Sequence, residues 1–139
     1  MKKILVSACL LGEDCRYKGD NCKNEKVIAL KKDYEIIAVC PEQMGGLNTP
    51  RNPAERVGDR VLSSVGDDVT KQYLSGAEKA LKLAKENDVE FCVLKANSPS
   101  CGKGRIYDGT FTGNKINGNG VTADLLIKNG FKVLTEEDL

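Results

Sequence analysis

Three short apolar runs decide what this chain can fold into. Lys2–Ala8 (KKILVSA), Glu35–Val39 (EIIAV) and Glu90–Leu94 (EFCVL) are rich in β-branched residues and bounded by polar or turn-forming ones. Runs of this length read as buried strands rather than helices. Helical patterns fall between and after them. Asn24–Asp33 carries Val27, Ile28 and Leu30 among lysines, a short helix. From about residue 68 to 87, Val69, Tyr73, Ala77, Ala80, Leu81 and Ala84 recur at three- and four-residue steps, one apolar helical face. Asp67 and Asp68 are the N-cap candidates of that helix. Val121–Asn129 reads as a helix stopped by Gly130, and Lys132–Leu134 as a last short strand. Strands alternating with helices give an α/β fold: a single compact domain, 1–139, with a mostly parallel sheet, flanking helices and a Rossmann-like three-layer arrangement. Two stretches resist this reading. Gly45–Asp67 is a long connection with a small hairpin expected at Arg60–Ser64, and residues 102–120 hold six glycines and no periodicity, so they are expected to form a loop.

The chemistry is bounded by two counts: no histidine and six cysteines. Without histidine there is no Ser-His or Cys-His nucleophile pair, no imidazole proton shuttle and no His-containing metal site. The thiols are Cys9, Cys15, Cys22, Cys40, Cys92 and Cys101. No two are separated by two residues, which excludes zinc-ribbon and thioredoxin-type pairs. In a cytoplasmic, reducing setting they are core residues, metal ligands or nucleophiles rather than disulfides. The segment before Cys9 imitates a lipoprotein signal, but its apolar part is far shorter than the roughly 7–15 residues a signal requires. No run approaches the ~18 apolar residues of a membrane span. With 21 basic and 20 acidic residues the net charge is +1, which provides no global field for nucleic acid or anionic membrane.

Ligands in open parallel sheets bind beyond the carboxyl ends of the strands. Cys9 follows the first strand, Cys40 ends the second, and Cys101 lies shortly after the third, so three thiols are expected at one sheet edge. Cys92 lies inside a strand and reads as a small hydrophobe, and Cys22 as structural or incidental. Cys15 is left open: its loop could reach the site. Three thiols without histidine favour zinc, copper(I) or an iron–sulfur cluster, with chance burial as the alternative. Glu42, two residues beyond Cys40, is either an acid–base group at a partly dry edge or a solvated loop carboxylate. Asn97, Ser98 and Ser100 surround Cys101 with amide and hydroxyl groups, as an ordinary turn also would. Arg51 and Arg16 are candidates to orient a carbonyl or phosphate. Residues 102–120 are either a cover over the site or a plain surface turn.

Taken in order, Ser7-Ala8-Cys9-Leu10-Leu11-Gly12, Arg16-Tyr17, Cys40-Pro41-Glu42, Gly45-Gly46-Leu47, Pro50-Arg51, Pro53-Ala54-Glu55, Leu94-Lys95 and Ser98-Pro99-Ser100-Cys101-Gly102 resemble the thiouracil desulfidase family over essentially the whole chain. The resemblance implies a cytoplasmic, bacterial enzyme carrying a 4Fe–4S cluster on Cys9, Cys40 and Cys101, with one open iron to take sulfur from a thiocarbonyl compound. It implies catalytic roles for Glu42, which activates water or the ring N–H, and for Ser98, which relays or holds a proton. Ser100, Arg51, Asn97 and Gly12 are the expected substrate contacts. Lys18 stands where many relatives have an acidic residue, and Asn48 and Asn52 where proline is frequent. Some relatives carry an additional C-terminal domain associated with thiolated transfer RNA, for which 139 residues leave no room. A free thiobase or similar small thio-compound is therefore the expected partner, with nucleic acid disfavoured. The competing readings are a non-catalytic metal- or sulfur-trafficking protein built on the same three cysteines, and a thiol redox protein.

Overall fold

The computed structural model describes residues 1–139. In chain order its elements are β1 (Lys3–Ser7), α1 (Glu25–Ile28), β2 (Glu35–Val39), α2 (Pro41–Met44), β3 (Ala54–Val57) and β4 (Arg60–Ser63). They continue with α3 (Thr70–Glu86), β5 (Cys92–Leu94), β6 (Arg105–Tyr107), β7 (Lys115–Asn117), α4 (Val121–Lys128) and β8 (Val133–Thr135). The main sheet runs β2-β1-β5-β8, and every neighbouring pair is parallel. The three apolar runs are thus its three consecutive strands, with β8 at the edge beside β5.

Alternation along β1 divides the core between two faces. Leu5 joins Val39, Cys92 and Leu94 under the Ala80–Ala84 face of α3 and under Ala123 and Leu126 of α4. Ile4 and Val6 face the opposite side with Leu10, Val27 and Val93, covered by α1 and the 3₁₀ turn Ala8–Leu11. These two layers on a parallel sheet are the expected three-layer arrangement. Burial of each large aliphatic side chain contributes roughly 1.5–3 kcal/mol.

Local details differ from the sequence expectation at helix ends and in the two irregular stretches. Asn24 caps α1, its side-chain Oδ1 accepting from the N–H groups of Lys26 and Val27, but the helix gives way to a 3₁₀ turn over Ala29–Lys32. Helix α3 starts at Thr70, and its N-cap position is held by Val69. Asp68 still accepts from the Thr70 N–H and hydroxyl, at 3.0 and 2.6 Å, one residue earlier than a standard cap. The hairpin in the long connection is larger than expected, pairing Ala54–Val57 with Arg60–Ser63. The glycine-rich stretch is not a featureless loop. Arg105–Tyr107 and Lys115–Asn117 pair antiparallel within it.

One helix crossing fixes the position of the site. Helix α2 is a single turn begun by Pro41, and its end packs on α3 at a glycine–glycine contact. A Cβ on Gly76 would collide with the Pro41 carbonyl, and one on Gly45 with the Gln72 carbonyl. Glycine is required at both positions because the two backbones touch.

Candidate active site

The carboxyl ends of β1, β2 and β5 open onto one cavity of about 360 Å³. Cys9, Cys40 and Cys101 all line it, so the three thiols meet at one sheet edge, and Cys15 lines it with them. Each arrives by a different local device. Cys9 lies in the 3₁₀ turn directly after β1, and its carbonyl accepts from the Cys22 N–H at 2.9 Å, which draws the following loop back across it. Cys40 is the N-cap residue of α2. Cys101 is held by Ser98, whose Oγ accepts from the Ser100 and Cys101 N–H groups at 3.1 and 3.0 Å. The same turn is bolted to α4 by a bond between the Ser100 and Thr122 hydroxyls at 2.8 Å and by the Ser100 carbonyl, which accepts from Thr122 at 2.8 Å and Ala123 at 3.2 Å.

The thiols influence one another. Contact with the Cys15 thiol, then burial, raises Cys40 far above the usual thiol range. Cys15 is drawn down by its contact with Cys40, but contact with Cys9 and burial outweigh this and push it up to about 12. Burial pushes Cys101 up to about 12, with the negative charge of Glu42 adding to it. Without a bound cation these groups are therefore neutral thiols at pH 7, and a positive metal centre is what would draw off their protons. Cys92 is also raised to about 12, but by burial alone, inside the α3–α4 side of the core. Cys22 packs at the margin of the other side.

No three Cys, Asp or Glu side chains close around a single point that would hold one ion. Tetrahedral zinc needs every sulfur at about 2.3 Å from one centre. The thiols line one cavity, and the chain has no imidazole to join them. Soft donors of this kind suit an iron–sulfur group.

Glu42 sits on the first turn of α2 and lines the same cavity. Its Oε2 accepts from Arg51 Nε at 3.2 Å and from Nη2 at 2.9 Å. Arg51 also donates to the Cys15 carbonyl at 2.9 Å, the Thr49 hydroxyl at 2.9 Å and the Asn48 carbonyl at 3.3 Å. Those five contacts use all five guanidinium donors. Arg51 lines the cavity, but its hydrogen bonds hold Glu42 and the Cys15 loop in place. Tyr73 of α3, 2% exposed, lines the same cavity. Burial raises its phenol far above the usual range, and the Glu42 charge and hydrogen bond add to the effect.

Ser98 and Asn97 line the cavity. With two N–H groups already donating to its oxygen, Ser98 has its own hydroxyl proton free to point inward. Gly12 and Ser100, expected as substrate contacts, do not reach the cavity. Gly12 closes the 3₁₀ turn after Cys9 at φ +99°, and Ser100 is fully buried against Thr122. Several lining residues carried no signal of their own. Tyr73 counts as one more apolar position on a helical face, and Tyr107 and Phe111 lie in a stretch without periodicity.

The 2-thiouracil desulfurase family matches this chain over residues 4–138. The chain belongs to the 2-thiouracil desulfurase family. The chain is 45% identical to the uncharacterized protein YbbK of Bacillus subtilis (strain 168), over 98% of this chain and 97% of that protein. Among solved structures it is similar to the [4Fe-4S]-dependent thiouracil desulfidase TudS, with a TM-score of 0.94 and 45% identity over 100% of this chain and 93% of the other. The family and the structural likeness favour a desulfidase over a metal- or sulfur-trafficking protein.

Proposed function

We propose that this enzyme hydrolyses the thiocarbonyl of a small thiolated base such as 2-thiouracil, releasing sulfide. The exchange balances without an electron acceptor. Water adds its oxygen to the thiocarbonyl carbon, the C–S bond breaks, and the products are the oxo base and hydrogen sulfide. The observation that carries the reading is one cavity that gathers Cys9, Cys40 and Cys101 beside Glu42 and Ser98, in a chain 45% identical to a [4Fe-4S]-dependent thiouracil desulfidase.

Cys9, Cys40 and Cys101 would hold the 4Fe–4S cluster. Three protein ligands leave one iron open, and when bound such a cluster supplies a thiophilic Lewis acid that accepts the departing sulfur. The chain's own groups do the rest. Arg51 fixes the Glu42 Oε2, so the carboxylate meets the substrate in one orientation and can take a proton from water or from the ring N–H. The free Ser98 proton can be donated to a heteroatom of the ring, and the turn that fixes Ser98 also fixes Cys101, so the donor and the ligand keep a constant separation. Burial of the thiols and of Tyr73 keeps this side of the cavity poor in water, which strengthens each polar contact inside it.

The test is anaerobic reconstitution with iron and sulfide, followed by an assay of sulfide release from 2-thiouracil. Replacing Cys9, Cys40 or Cys101 by Ala is expected to remove the visible iron–sulfur absorbance and the activity together. Glu42→Gln is expected to keep the absorbance and lose at least 100-fold in kcat, within the 10²–10⁴ range of a positioned acid–base group. Full turnover in Glu42→Gln would remove Glu42 from the mechanism, and a loaded parent protein that releases no sulfide would return the site to sulfur trafficking.

A further inference from the structure

The chain is poor in aromatic residues, with four tyrosines, three phenylalanines and no tryptophan. Tyr17, Tyr73, Tyr107 and Phe111 all line this one cavity. Two of the four, Tyr107 and Phe111, come from the β6–β7 hairpin, the segment with the weakest sequence signal. Its tip is unusual in two ways. Phe111 has φ +57°, a left-handed conformation that glycine tolerates and a phenylalanine enters only under constraint. It is also 39% exposed, an aromatic ring at the mouth of the cavity rather than in a core.

The constraint is visible. Glu55 of β3 is 8% exposed, and its Oε1 accepts from the backbone N–H groups of Gly109 at 2.9 Å and Phe111 at 3.2 Å. A carboxylate is an expensive group to remove from water unless its charge is used. Here it is used to hold a strained loop tip. The neighbouring Arg56 fastens the base of the same hairpin by donating to the Asn119 carbonyl at 2.6 Å. Two consecutive residues of β3 thus pin the tip and the root of the hairpin.

Resting on the desulfidase reading, we propose that the β6–β7 hairpin is the specificity element of the site. Phe111 lies over the face of a planar heteroaromatic thiocarbonyl substrate, and Glu55 is the positioning residue that holds Phe111 there. A flat ring fills the space between aromatic walls, and aromatic pairs gain beyond simple area burial. An acyclic thioamide offers no such face. The selected class is the planar thio-heterocycle.

The test separates ring recognition from desulfuration. For reconstituted enzyme, KM and kcat are measured with 2-thiouracil, and Kd for uracil, which has the ring but no sulfur, by calorimetry. Phe111→Ala is expected to raise both KM and the uracil Kd about tenfold while kcat changes less than threefold. Phe111→Tyr keeps a ring and is expected to restore both constants. Glu55→Ala is expected to repeat the Phe111→Ala pattern, and Glu55→Gln, which retains the accepting oxygen, to reverse it. Circular dichroism and the iron–sulfur absorbance confirm that each variant is folded and loaded. Unchanged KM and Kd in folded Phe111→Ala would overturn the proposal, as would equal losses in the Ala and Tyr variants. If the parent enzyme releases no sulfide but binds uracil in a Phe111-dependent way, the desulfidase reading fails and the ring-recognition site stands. If it neither binds uracil nor releases sulfide, both fall.

Discussion

Arg51 shows how much of the site one side chain can hold together. Its five contacts join Glu42, the Cys15 loop and the Asn48–Thr49 turn. The ion pair is mostly removed from solvent, with side-chain exposures of 10% and 18%. Breaking such a pair from one side leaves an uncompensated charge and costs about 3 kcal/mol or more. Arg51→Met is therefore expected to lower the unfolding free energy by that amount in a denaturant titration. Arg51→Lys retains the charge but not the fork. It is expected to lose 10–100-fold in kcat/KM, which corresponds to about 1.4–2.7 kcal/mol of transition-state stabilisation. At this scale the sequence was most informative about the cysteines, because position relative to a strand end determines which thiols share an edge. It was silent about Tyr73. Helical periodicity marks the face that is buried, and it cannot show that the hydroxyl of a buried tyrosine emerges into a cavity.

Among the elements, α2 carries the most chemistry for its length. Its single turn bears Cys40 at the N-cap and Glu42 on the first turn, and the Gly45–Gly76 crossing sets its distance from α3. Gly76→Ala would drive a methyl group into the Pro41 carbonyl. Overpacking of this kind costs about 1–3 kcal/mol, and relief requires α2 to move, taking a proposed cluster ligand and Glu42 with it. A fall in melting temperature of several degrees is expected, with lower iron content per chain. Gly130→Ala, at an open position where a Cβ would meet no neighbour, should leave iron content at the parent level even though its φ of +87° also costs stability. Neither α2 nor the β6–β7 hairpin was legible beforehand, for a shared reason. One helical turn is too short to show a period, and β6 and β7 have three residues each, with all of β7 exposed. Both are held by contacts from distant chain, α3 in one case and Glu55 with Arg56 in the other. The long helix α3 and the strands β1, β2 and β5 were legible because each carries its own burial pattern.

For the whole molecule, the missing histidines shape the response to pH. No imidazole is present to titrate near neutrality. Hydrogen bonds hold Asp138 and Asp108 below the usual carboxylate range: Asp138 accepts chiefly from the Thr135 N–H and Lys103, and Asp108 from Thr110. A depressed folded-state value means stabilisation that is complete above the unfolded value of 3.8 and is lost as pH falls below it. Lys95 has the opposite sign. Burial lowers it, but its pair with Glu136 at 2.9 Å outweighs this and raises it above 10.5, so its contribution is present at neutral pH and is lost only in strong alkali. Melting temperature is expected to fall below about pH 4, and Asp138→Ala to flatten part of that acid slope while lowering the neutral value slightly. Topology carries a further consequence, one of timing. Strand β1 must wait for β5, and Cys9 for Cys101, until most of the chain has left the ribosome. The three proposed ligands come from widely separated segments, so no early fragment can collect them. A cofactor held by these three residues can thus be completed only late in the life of the polypeptide, once the segments carrying all of them have been made.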